Sequence, residues 1–96
     1  MSLKELSSRS AVLNAMKEFD ALGQATFLKH HGFGKARDYA VIHRGRSYDS
    51  KAIAGVAYGY QFPSRGPLKA SEFSGGVKTV VAKLKELGFQ IGKATD

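Results

Sequence analysis

The chain has 96 residues and carries 15 Lys and Arg against 8 Asp and Glu, a formal net charge of +7, with no Cys and no Trp. Without a thiol it cannot build a disulfide framework, an iron–sulfur cluster, a thiolate zinc site or a cysteine nucleophile. Its 43% apolar content, with four Tyr and six Phe, is too hydrophobic for a solvated basic tail, so a single small domain over 1–96, with a core about 10–91, is expected.

In chain order, the first helix is expected to start at Ser8 or Ser10, whose hydroxyl can accept from an unpaired backbone N–H, and to run to Leu22 before Gly23. Val12, Met16 and Phe19, with Leu13 and Leu22, form its inward stripe. A shorter helix over 24–31 stops at Gly32, where Phe33 can fold back on Leu28 in a Schellman ending. Tyr39–His43 and Ser47–Tyr48 read as strands around Arg44-Gly45-Arg46. Because Arg disfavours positive φ, a loop longer than a tight two-residue turn is expected, with Gly45 left-handed. Asp49 or Ser50 then caps a helix with Ile53, Val56, Ala57 and Tyr60 inward, and Pro63 ends it. Its Gly55 and Gly59 permit close backbone approach. Residues 63–74 form an irregular stretch. A last helix over 75–87 places Val77, Val80, Val81, Leu84 and Leu87 on one face before Gly88 and Phe89 repeat the Gly-Phe ending, and Gln90–Gly92 suits an edge strand. The sum is an α+β domain of about four helices with a β-hairpin, loosely like a winged helix.

Charge is concentrated in the middle: residues 1–28 are neutral, 29–51 carry +4 and 52–96 carry +3. Such an excess on a small body favours a polyanionic partner, nucleic acid before lipid. No apolar run reaches the ~20 residues that cross a bilayer, and the first ten residues lack the apolar centre of a signal peptide, so a cytoplasmic chain with no membrane partner is expected.

The segments EFDALG (18–23), FLKHHGFGKARDY (27–39), GRSYDSKAIAG (45–55), FSGG (73–76) and LKELGF (84–89) together resemble the N-terminal head domain of ScoMcrA-like modification-dependent HNH restriction endonucleases. The likeness covers about residues 10–91. It implies a part in recognising or cutting modified foreign DNA, in a bacterial protein whose DNA-reading and nuclease domains lie elsewhere. An HNH centre needs His with Asn and a metal; Asn14 is the single Asn and falls in a predicted helix far from His43. No nuclease centre, catalytic residue, metal ligand set or cofactor is therefore assigned. The resemblance leaves open whether this is a domain of a longer protein or a stand-alone relative.

The leading candidate site is the basic hairpin: Lys35 and Arg37 before it, His43, Arg44 and Arg46 at its tip, and Lys51 in the next helix. Arg and Lys on a protruding hairpin can reach phosphates or a narrow groove, whereas the plainer reading is a solvated loop. Ser74, Gly75 and Gly76, with Lys78 nearby, open the last helix and could hold a phosphate oxygen; ordinary capping explains the same residues. Arg65 and Lys69 widen the basic footprint. Tyr58, off the inward face of its helix, is a candidate for base stacking, while Tyr48 and Tyr60 are expected in the core. Asp49-Ser50-Lys51 has the D-x-K spacing of some nucleases with Asp38 as a second carboxylate, but Asp49 as a helix cap is the simpler account. Adjacent His30 and His31 diverge by about 100° on a helix and do not converge on an ion. The expected function is a non-catalytic module that binds duplex DNA, modified or not. The alternative is a docking module that packs on the rest of an endonuclease or on a second copy without touching DNA.

Overall fold

The structure is a computed structural model that describes residues 2–94. A 3-10 turn at Leu3–Glu5 leads to α1 (Arg9–Leu22), α2 (Gln24–His31), β1 (Tyr39–His43), β2 (Arg46–Asp49) and α3 (Ser50–Gln61). A second 3-10 turn, Ala70–Glu72, precedes a π-helical turn, Val77–Val81, that runs into α4 (Ala82–Glu86) and then β3 (Gln90–Lys93). The expected α+β architecture is observed, with the hairpin enlarged to a three-stranded antiparallel sheet in the order β2-β1-β3. Val41 at its centre faces Tyr48 on one side and Ile91 on the other.

Local chemistry accounts for most element ends. Ser8 caps α1 by accepting from the Ala11 N–H at 3.1 Å. Both Gly-Phe endings form: Gly32 and Gly88 sit at φ +74° and +88°, and the Phe33 and Phe89 N–H groups donate to the Leu28 and Leu84 carbonyls at 2.9 Å. Along α1, Val12, Met16 and Phe19 are buried as expected; Leu22 is 41% exposed, since the chain turns away beside it at Gly23. Phe19 joins α1 to α2 and to the sheet, its ring centroid 5.0 Å from both Phe27 of α2 and Tyr48 of β2.

Helix α3 forms the centre of the core. Every residue from Ala52 to Tyr58 is buried, so it has no single inward face, and the expectation for its tyrosines is reversed. Tyr58 is fully buried, whereas Tyr60 is 42% exposed. The glycine reading holds: a Cβ on Gly55 would lie 2.7 Å from the Phe33 ring, and one on Gly59 2.6 Å from the Pro67 nitrogen. The 3-10 turn at the N-terminal end adds Leu3 and Leu6 to the core, and the Gln61 side chain accepts from the Ser7 and Ser8 N–H groups at 2.8 and 3.0 Å.

Two local expectations are corrected. The hairpin loop is a two-residue connection, with His43 opposite Arg46, Arg44 at φ +52° and Gly45 at φ +77°. Positive φ at both positions is the signature of a type I′ turn, whose twist matches the strands; that match is obtained with an Arg in the left-handed region. The last helix starts at Val77, not at Gly75, and its first turn is π-helical, with the Val81 N–H directed to the Gly76 carbonyl at 3.4 Å. The wider turn shifts the side-chain phase, leaving Val77 51% exposed while Val80, Val81 and Leu84 stay inside.

Candidate nucleic-acid interface

Two basic concavities emerge, and they divide the candidate residues. The first is a groove of about 740 Å³ between α1 and the hairpin tip, lined among others by Arg9, Lys17, His43, Arg44 and Arg46, with Asp20 its one carboxylate. Asp20 pairs with Arg46 at 3.0 Å and accepts from the Tyr48 hydroxyl at 3.0 Å. The hydrogen bond to Asp20 raises the Arg46 pKa further above its ordinary value; burial, followed by the same carboxylate, raises that of Tyr48. Arg9 is fixed by donating to the Leu87 carbonyl at 2.9 Å and by lying 4.1 Å over the Phe89 ring, which also meets His43. Neither arrangement neutralises its charge. Arg44 is exposed at the rim and is the single non-glycine residue at positive φ among the described residues. That conformation costs about 1 kcal/mol and holds a cation outward at the apex.

The second concavity is a cleft of about 360 Å³ that gathers Lys35, Arg37 and Lys51 with Gly75 and Gly76. Lys51 is built into its wall. The ammonium donates to the Ala70 carbonyl at 2.7 Å and lies 5.1 Å from the Phe73 ring centre. A Cβ on Gly75 would come within 3.2 Å of the Lys51 stem, so the glycine makes room for it. Asp49 does not cap α3 with its side chain as expected. Its carboxylate is buried and turned to the 34–38 loop, accepting from Ala36 N–H at 2.7 Å and from the Gln24 amide at 2.8 Å. Ser74 likewise caps no helix; its hydroxyl accepts from the Gly76 N–H at 3.3 Å, two residues on.

The remaining candidates lie apart. Tyr58 cannot stack on a base: it is enclosed in the core, and its hydroxyl donates to Glu5 at 2.9 Å. Arg65 is drawn to the same place, paired with Glu5 at 2.8 Å and donating to the Tyr58 oxygen at 2.8 Å. Lys69 and Lys78 are exposed and line neither concavity. His31 pairs with Glu18, which also accepts from Tyr60 at 2.8 Å. Burial pushes the Glu18 carboxyl up, but these two hydrogen bonds, with the charges of His31 and His30, outweigh it and leave the group below its ordinary value.

Sequence reasoning missed the contribution of α1. Arg9, Leu13 and Lys17 recur at i, i+4 and i+8 and so share a helix face, a signal visible in the sequence. Asp38, named above as a second carboxylate beside Asp49, lines the cleft, as does Tyr39.

The family model described as ScoMcrA-like, N-terminal head domain, matches residues 5–93. A solved structure described as that of the Type IV phosphorothioation-dependent restriction endonuclease ScoMcrA is similar at 35% identity and a TM-score of 0.65 over 93% of this chain. The similar region is 13% of that chain, so the present chain spans a small fraction of its length. No curated protein matches. Among the described residues, no helix is long and apolar enough to cross a membrane.

Proposed function

Because the chain belongs to the family of ScoMcrA-like N-terminal head domains, we propose that it is a non-catalytic DNA-binding module serving a bacterial restriction endonuclease in the cytoplasm. The observation that carries this reading is the groove between α1 and the hairpin tip, where Arg9, Lys17, Arg44 and Arg46 meet a single carboxylate. Cations distributed along a groove fit a row of phosphates, each of which accepts charge-assisted hydrogen bonds without regard to base sequence. The contact assigned is therefore to the duplex backbone, with sequence or modification read by other parts of the enzyme.

A non-catalytic role is supported by the state of the D-x-K carboxylate. Asp49 uses both oxygens on Gln24 and Ala36, which leaves it poorly placed as a metal ligand. The test is fluorescence anisotropy of a labelled duplex with the 96-residue chain at low salt, run beside size-exclusion chromatography. Saturable, salt-sensitive binding is expected. Absence of binding, with a concentration-dependent dimer, would overturn the reading in favour of docking on another protein surface.

A further inference from the structure

The cleft behind the hairpin differs from the groove in that one of its cations, Lys51, is recessed, while Lys35 and Arg37 stand exposed at its rim. Lys51 is half-buried and held on the Ala70 carbonyl, a neutral acceptor, and none of Lys35, Arg37 or Lys51 forms an ion pair among the described residues. An ordered ammonium that has lost part of its hydration without gaining a counterion favours an incoming anion. A concavity of about 360 Å³ has no room for a length of duplex, although a single protruding phosphate fits within it. That volume is at the small end of ligand cavities, about 300–1,000 Å³, and suits one small ligand rather than a polymer.

The other lining groups narrow the ligand. Gly34, Lys35 and Gly75 line the cleft, and their backbone N–H groups donate to no protein acceptor among the described residues. They add neutral donors for phosphate oxygens beside the three cations. Tyr39, half-buried, offers an aromatic surface, and the exposed Asp38 an acceptor for amino or ring N–H groups of a base. We propose that this cleft binds one unstacked nucleotide, its phosphate held by Arg37, Lys51 and the loop amides and its base against Tyr39. The nucleotide belongs either to an unpaired strand end or to a free mononucleotide. The strand-borne form rests on the DNA-binding reading above; the cleft chemistry does not.

The experiment compares a blunt duplex, the same duplex with a short single-stranded extension, and deoxycytidine monophosphate followed by amide chemical shifts. Arg37→Ala and Lys51→Met are the test variants, the second retaining the buried stem, with thermal unfolding as the check that both fold. In the wild type the extension should raise affinity about fivefold or more, the gain of one stacked base. Both variants should lose that gain while holding blunt-duplex affinity within about twofold. Saturable mononucleotide shifts at residues 34–37, 51 and 75 without an extension gain would support the free-nucleotide source. Blunt-duplex binding with neither effect overturns the cleft proposal and leaves the groove reading intact. Mononucleotide binding with no duplex binding does the reverse, and silence from all three ligands overturns both.

Discussion

Asp20 on α1 reaches Arg46 on β2 at 3.0 Å, tying the helix to the hairpin across the basic groove while withdrawing one positive charge from it. The pair is open to solvent, with side-chain exposures of 37% and 66%, so it contributes little to stability. Asp20→Asn should therefore leave the thermal midpoint nearly unchanged, with the amide oxygen still available to the Tyr48 hydroxyl. DNA affinity at low salt should rise by about two- to fivefold, the effect of releasing one screened charge. An affinity that fell, measured by anisotropy, would place the DNA elsewhere.

Arg44 separates stability from binding. Glycine removes the cost of φ +52° at this position, so Arg44→Gly should stabilise the fold by up to about 1 kcal/mol, a rise of about 4–8 °C for a domain of this size. The same substitution removes a rim cation and should weaken duplex binding. A variant less stable than the wild type in calorimetry would mean that the Arg side chain supports the turn.

Backbone contact has a quantitative signature in salt. If Arg9, Lys17 and Arg44 each neutralise one phosphate while Asp20 holds Arg46, the log–log dependence of affinity on salt should have a slope of about −2.7. Replacing Arg44 by Ala should reduce its magnitude by about 0.9. A flat salt response in the wild type would exclude the groove model.

Glu5 gives the fold an acid-sensitive joint. The Arg65 hydrogen bond, with those from the Ser2 N–H and the Tyr58 hydroxyl, lowers its pKa from 4.5 to about 2. A carboxyl more acidic in the folded than in the unfolded state stabilises the fold above its unfolded pKa. That contribution is lost as pH falls through the window from about 4.5 to about 2. The difference in thermal midpoint between wild type and Glu5→Gln should thus be greatest near neutrality and close across this window. A gap that did not vary with pH would show that packing, rather than charge, distinguishes the two.

At Gly59 the contact is with backbone. An added Cβ would lie 2.6 Å from the Pro67 nitrogen and 2.9 Å from the Gly66 carbonyl carbon, atoms that cannot rotate away. Gly59→Ala should cost about 1–3 kcal/mol by overpacking in spite of the better helix propensity of Ala, and urea denaturation would reveal it. A stabilised variant would mean that the 63–67 segment moves aside freely.

The features readable from sequence were those governed by near neighbours. Ser8 as a cap, the two Gly-Phe endings and the α1 stripe each depend on residues a few positions apart. What escaped depended on tertiary packing. Tyr58 and Tyr60 exchange roles because α3 is surrounded, and periodicity identifies an inward side only for a helix that has one. Val77 leaves the core because one wide turn alters the phase, which no apolar pattern specifies. The neutral total for residues 1–28 concealed Arg9 and Lys17 on the groove, since Glu5 and Glu18 are engaged by Arg65 and His31 elsewhere. Family resemblance located the domain, but the separation of its cations into an open groove and a recessed cleft required coordinates.

Strand β3 also sets an order in time. When α3 has emerged from the ribosome, both helices before the hairpin, the hairpin itself and the central helix are available, yet β1 has one neighbour until Gln90–Lys93 arrives opposite Tyr39–Ile42. The same late segment brings Phe89 against His43 and beneath Arg9, and the Leu87 carbonyl that orients Arg9. Pairings between segments this far apart in the chain are slow to form. The orientation of Arg9 at the groove therefore depends on a late segment of the domain, the one that also completes the sheet.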